Sequence, residues 1–98
     1  MTGVLRVTIC NKKGLHARAA AKLVKLAATF DAQVKVFCVA SSGEVIESRS
    51  ATATSILSLL MLAAEKGSDV ELRATGIQAE AALTAIQALI EQKFDEGE

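Results

Sequence analysis

The segment NKKGLHARAA, Asn11 to Ala20, holds the only histidine of the chain, His16, with Gly14 two positions before it and Arg18 two positions after. Imidazole is a good nucleophile and can take a phosphoryl group. Arginine presents a planar fork of donors that suits phosphate oxygens. From Ala17 onward, Ala20, Val24, Ala27 and Phe30 recur at helical spacing, with Lys22 and Lys25 off that stripe. His16 therefore lies where a loop becomes a helix. The first amides of a helix lack internal partners and carry the positive end of its dipole, which makes such an end an anion site. Gly14 lets the chain turn tightly and another molecule come close. Arg18 opposes the local dipole, which suggests that it serves something other than the helix. The set reads as a histidine that carries phosphate, with the Ala17 and Arg18 amides and the Arg18 side chain holding the anion. A histidine that only caps the helix, beside a surface arginine, explains the same residues. A lone His near an Arg is a weak motif, so residue chemistry alone leaves both readings open. To attack phosphorus the ring must be neutral, and helix amides, which disfavour imidazolium, are expected to govern it.

The elements that must position this junction follow from periodicity. VLRVTIC alternates, with Leu5, Val7 and Ile9 on one face, and reads as a half-buried strand. DAQVKVFCVA alternates again, with Val34, Val36 and Cys38 sharing a face. SSG at 41–43 is turn chemistry, and EVIESRS is the return strand. TSILSLLMLAA places Ile56, Leu59, Leu60 and Ala63 at helical spacing but is apolar nearly all round, and KGS stops it. DVELRAT is a strand with Val70 and Leu72 inward. Ala79, Ala82, Leu83, Ile86 and Ile90 mark a last amphipathic helix to about Phe94. The order βαββαβα predicts an α+β fold, an open-faced two-layer sandwich with a four-stranded antiparallel sheet covered on one face by three helices.

Composition narrows the rest. The length of 98 residues suits a single domain, 1–98, with a frayed acidic tail at about 94–98. A formal net charge of zero gives no sign of nucleic acid or a membrane surface as partner. No apolar run reaches the ~20 residues of a membrane-spanning helix. The N-terminal residues lack the features of a signal peptide, so a cytoplasmic protein is expected. Cys10 and Cys38 form neither a CxxC pair nor, with one histidine, a zinc set, and are expected to be small buried hydrophobes. No metal is implied.

GLHAR followed by a helix resembles the active-site motif of the histidine-containing phosphocarrier proteins of the bacterial phosphotransferase system, HPr and its nitrogen-system relative NPr. SILSLLMLAAEKGSDVEL resembles the second helix and fourth strand of that family, and the order of elements agrees from end to end. Ala19 stands where the family usually has proline, and the hairpin from Phe37 to Thr54 looks several residues longer than usual. The resemblance implies that His16 accepts phosphate at Nδ1 from enzyme I and passes it to a histidine of an enzyme IIA domain. It implies a carrier rather than an enzyme, a monomer without cofactor, with Arg18 orienting the phosphate. Ser55 matches a position that a serine kinase/phosphorylase modifies in some branches, and it is also a good helix N-cap. Leu57 and Leu60 match partner-docking positions, with Lys22 and Lys25 as a cationic rim. Three functions are to be separated: the phosphocarrier, a nitrogen-type relative whose phosphorylation state only signals, and a small binding domain with a structural His16.

Overall fold

The structure, a computed structural model, describes residues 2–96. In chain order it contains β1 (Thr2–Thr8), α1 (Ala17–Ala27), β2 (Gln33–Val39), β3 (Val45–Thr52), α2 (Ile56–Met61), β4 (Asp69–Thr75) and α3 (Ala79–Glu91), followed by a 3-10 turn at Lys93–Asp95. The strands form one sheet in the order β1-β4-β2-β3, and each neighbouring pair is antiparallel. This is the expected α+β arrangement. Strand alternation sends Val7, Val34, Val36, Val70, Leu72 and Ala74 into a core shared with Ala20 and Leu23 of α1, Leu59 of α2, and Leu83, Ile86 and Ile90 of α3.

The other sheet face is not simply open. Phe37 is buried there beneath the Arg73 guanidinium, whose carbon lies 4.1 Å from the ring centroid. Glu71, also buried, accepts from Arg6 Nε at 3.1 Å and Arg73 Nε at 2.7 Å, and Arg73 also reaches both Glu47 oxygens. Alternating charges on neighbouring strands thus shield the one aromatic ring on this face.

Three local features depart from the sequence reading. The β2–β3 register jumps, from Phe37 opposite Ser50 to Cys38 opposite Ile46, leaving Glu47, Ser48 and Arg49 unpaired. The hairpin that looks long in the sequence contains this bulge. Next, α2 ends at Met61, well before KGS. The Leu62 carbonyl accepts instead from Arg49 Nη2 at 2.6 Å, and Ala63 turns to φ +52°. Bonds from outside the helix replace its next turn.

The third departure is the acidic tail, expected to fray from about residue 94. Phe94 is fully buried, and Glu96 is held by Asn11 and His16; residues 97 and 98 lie outside the described residues. Lys93, Phe94 and Asp95 have φ of 56°, 54° and 58°. A left-handed backbone costs about 1–2 kcal/mol per residue, so contacts must hold this turn. They are the buried Phe94 ring, Lys22 Nζ donating to the Phe94 carbonyl at 2.5 Å, and the Glu96 carboxylate. Cys10 is likewise only half-buried, its thiol directed at the Ile90 carbonyl, 3.2 Å away at the end of α3, whereas Cys38 is buried.

The hydrogen bond from Arg73, with help from Arg6 for Glu71, holds the Glu47 and Glu71 carboxyls below the ordinary value of 4.5. Carboxyls lowered in the folded state stabilise it above their unfolded value, and that contribution is lost as pH falls through the folded value. Melting temperature is therefore expected to hold from neutral pH to about 5 and to fall below it. In an Arg73→Met variant the fall should be shallower. An equal fall in both proteins, followed by circular dichroism, would show that this network is not responsible.

Candidate functional site

Asn11 begins the turn that delivers His16. Its carbonyl accepts from Gly14 N–H at 3.1 Å, and its Nδ2 donates to the Gly14 carbonyl at 2.7 Å. Gly14 takes φ +67°, and a Cβ on it would lie 2.5 Å from the Ala64 carbonyl oxygen. Leu15 N–H donates to that same oxygen at 2.9 Å, tying the loop to the chain leaving α2. Glycine is required here both for its backbone and for the close approach.

His16 is the N-cap of α1, in extended conformation. Its carbonyl accepts from Ala20 N–H at 2.8 Å, and its ring Nδ1 accepts from Arg18 N–H at 3.2 Å. Ala17 N–H is left without a partner among the described residues. On the other side of the ring, Nε2 meets a Glu96 carboxylate oxygen. The second Glu96 oxygen accepts from Asn11 Nδ2 at 2.8 Å. With Nδ1 accepting from the Arg18 amide, a neutral ring carries its proton on Nε2, facing the carboxylate. Hydrogen bonding from Asn11, with smaller contributions from His16 and Lys22, keeps the Glu96 carboxyl below its usual range, so the group is ionised at neutral pH.

The ring is thus governed from both sides, by a helix amide and by a carboxylate, where the sequence suggested amides alone. Glu96 and Asn11 were missed. In the sequence Asn11 is only the first residue of the segment that carries the histidine, and no periodicity links Glu96 to a histidine 80 positions away.

The remaining expected residues separate into groups. Arg18 is exposed, and its guanidinium makes no hydrogen bond or ion pair among the described residues. Lys25 is exposed, but Lys22 is committed to the Phe94 carbonyl rather than free on a rim. Ser55 caps α2, its Oγ accepting from Ser58 N–H at 3.2 Å. Leu57 is 69% exposed, whereas Leu60 is half-buried against the core. The apolar residues that α2 exposes are Ile56, Leu57 and Met61.

No cluster of three or more possible metal ligands occurs among the described residues, and no described helix is long and apolar enough to cross a membrane. What the arrangement offers is a nucleophilic nitrogen aimed at helix amides. The sequence profile described as "PTS HPr component phosphorylation site" matches residues 5–92, a span that contains this loop. The chain belongs to the HPr family of phosphocarrier proteins. It is 50% identical to the phosphocarrier protein NPr of Shewanella violacea, over 93% of this chain and 91% of that one. With the phosphocarrier protein HPr of Pseudomonas aeruginosa it shares 46% identity, over 96% and 97% of the two chains. The fold is similar to that of an HPr from Thermoanaerobacter tengcongensis, with a TM-score of 0.79 at 35% identity, covering 96% and 97% of the chains. Members of the HPr family carry phosphate and are not catalysts themselves.

Two glycines give a controlled test of the HPr-type loop. Gly67 also has a positive φ but no atom within 4 Å of an added Cβ. Gly67→Ala should lose only about 1 kcal/mol, the strain alone. Gly14→Ala adds a clash with backbone and should lose roughly 2–4 kcal/mol, with shifted His16 ring resonances. Equal losses in denaturant titrations would mean that the Ala64 contact does not set the loop.

Proposed function

We propose that the protein is a phosphocarrier of the phosphoenolpyruvate-dependent phosphotransferase system. In this reading His16 Nδ1 takes a phosphoryl group from the phosphohistidine of enzyme I and gives it to a histidine of an enzyme IIA domain. One observation carries it: the lone pair of Nδ1 points at the N-terminus of α1, where it accepts from Arg18 N–H. That nitrogen attacks phosphorus, and the bond from phosphorus to the donor nitrogen breaks, its electron pair staying with the donor. The Arg18 N–H then moves from Nδ1 to a phosphoryl oxygen, and the Ala17 N–H is available for a second. The Arg18 amide thus has an acceptor before and after transfer, and the Ala17 amide gains one. The unengaged Arg18 guanidinium closes over the phosphoryl group, and Ala19 leaves the first turn intact without proline.

Docking is assigned to the exposed Ile56, Leu57 and Met61 of α2, with the edge of Leu60, and to Lys25 against acidic partner surface. A cytoplasmic monomer without cofactor fits this role. The signalling alternative, a nitrogen-type protein, draws support from the 50% identity to an NPr, slightly above the 46% to an HPr. It uses the same site. We also propose Ser55 as a modification site for a serine kinase/phosphorylase, since a phosphate there would lie next to the docking residues.

Incubation with enzyme I and phosphoenolpyruvate should add one phosphoryl group, seen by intact mass, and His16→Ala should take none while remaining folded. A labelled His16→Ala protein would refute the assignment. Arg18→Lys retains charge but not the planar fork, so transfer should slow roughly tenfold, with less effect on enzyme I binding. Ser55→Asp keeps a good N-cap, so stability should hold, yet binding to enzyme I should weaken by about 1–3 kcal/mol. Ser55→Ala should transfer normally but melt earlier. Undiminished transfer in Ser55→Asp would make Ser55 a cap and nothing more.

A further inference from the structure

We propose that Glu96 is a positioning residue for phosphoryl transfer, its carboxylate holding the His16 ring proton on Nε2 so that Nδ1 is the nitrogen that reacts. The inference rests on the phosphocarrier reading and extends it to a residue 80 positions from the histidine. The carboxylate is built in rather than incidental. Its side chain is 10% exposed, and that of His16 25%. One oxygen is fixed by the fully buried Asn11, and the other faces the ring. The backbone that presents it is anchored just before it by the buried Phe94 and by Lys22 on the Phe94 carbonyl. Asn11 also ties Gly14 by the same Nδ2, so the loop that carries His16 and the turn that carries Glu96 share one amide.

The chemistry follows from charge balance. A neutral imidazole with its proton on Nε2 attacks through Nδ1. When the nitrogen–phosphorus bond forms, the ring keeps that proton and becomes cationic. The donor ring, cationic while phosphorylated, leaves as a neutral imidazole. The Glu96 carboxylate lies against the nitrogen that carries the proton, so it stabilises the positive charge as it develops. In the onward step the retained proton lets the His16 ring depart as a neutral imidazole. No proton need leave the ring in either direction.

Glu96→Gln keeps the size of the side chain and an oxygen for Asn11 but removes the charge. Transfer from enzyme I at saturation should fall about 10- to 100-fold, with KM changed by no more than about twofold. Melting temperature should stay close to that of the unaltered protein. Long-range proton–nitrogen NMR of the His16 ring should show the Nε2–H tautomer dominant in the unaltered protein and a mixture of both tautomers in Glu96→Gln. Glu96→Asp, which retains the charge at shorter reach, should recover part of the rate. Unaltered rate and tautomer in Glu96→Gln would overturn the proposal and make Glu96 a structural contact. An unaltered protein that takes no phosphoryl group from enzyme I would instead overturn the carrier reading, and the proposed role in transfer with it, whatever the tautomer.

Discussion

One hydrogen bond, from Arg18 N–H to His16 Nδ1, joins folding to chemistry in this protein. The atom that caps α1 is the atom proposed to react. A cap ordinarily uses an oxygen from Ser, Thr, Asp or Asn, and an imidazole is an unusual choice with a consequence. In the proposed transfer, the amide donor freed at Nδ1 is already positioned for a phosphoryl oxygen. The helix end thus exchanges one acceptor for another, and the fold is not asked to open. This requires His16 in extended backbone at a fixed place, which the positive φ of Gly14 and its contact with Ala64 enforce.

Much of this arrangement is legible in the sequence because it is local. Alternation in VLRVTIC and DAQVKVFCVA and the apolar stripe from Ala17 to Ala27 lead directly to the sheet and to α1. The loop-to-helix position of His16 follows from them. What is not legible depends on contacts distant in sequence. The early end of α2 goes with Arg49 taking the Leu62 carbonyl, and Arg49 lies in the bulged part of β3. Leu57 and Leu60 look alike in sequence, but one is exposed and the other half-buried, a difference of packing against the core that apolar spacing does not encode.

The clearest instance is the segment after α3. DEGE has the composition of a solvated tail, and composition was misleading because the residue just before it, Phe94, is buried in the core. Once that ring is seated, the turn brings Glu96 to Asn11 and to His16. The ring then has a distinct partner on each nitrogen, which a helix N-terminus alone does not supply. The charge network around Glu71 works in a similar way on the opposite sheet face, where residues from separate strands jointly shield Phe37.

The central claim is that His16 reacts through Nδ1 and that the α1 amides receive the phosphoryl group. Proton–nitrogen NMR of nitrogen-15-labelled protein, before and after phosphorylation by enzyme I and phosphoenolpyruvate, tests it most directly. The expected result is phosphorus coupling to the His16 Nδ1 signal, with downfield movement of the Ala17 and Arg18 amide protons and little change in β1 or β4. Phosphorus coupling at Nε2, or Ala17 and Arg18 amides that do not move, would contradict the account.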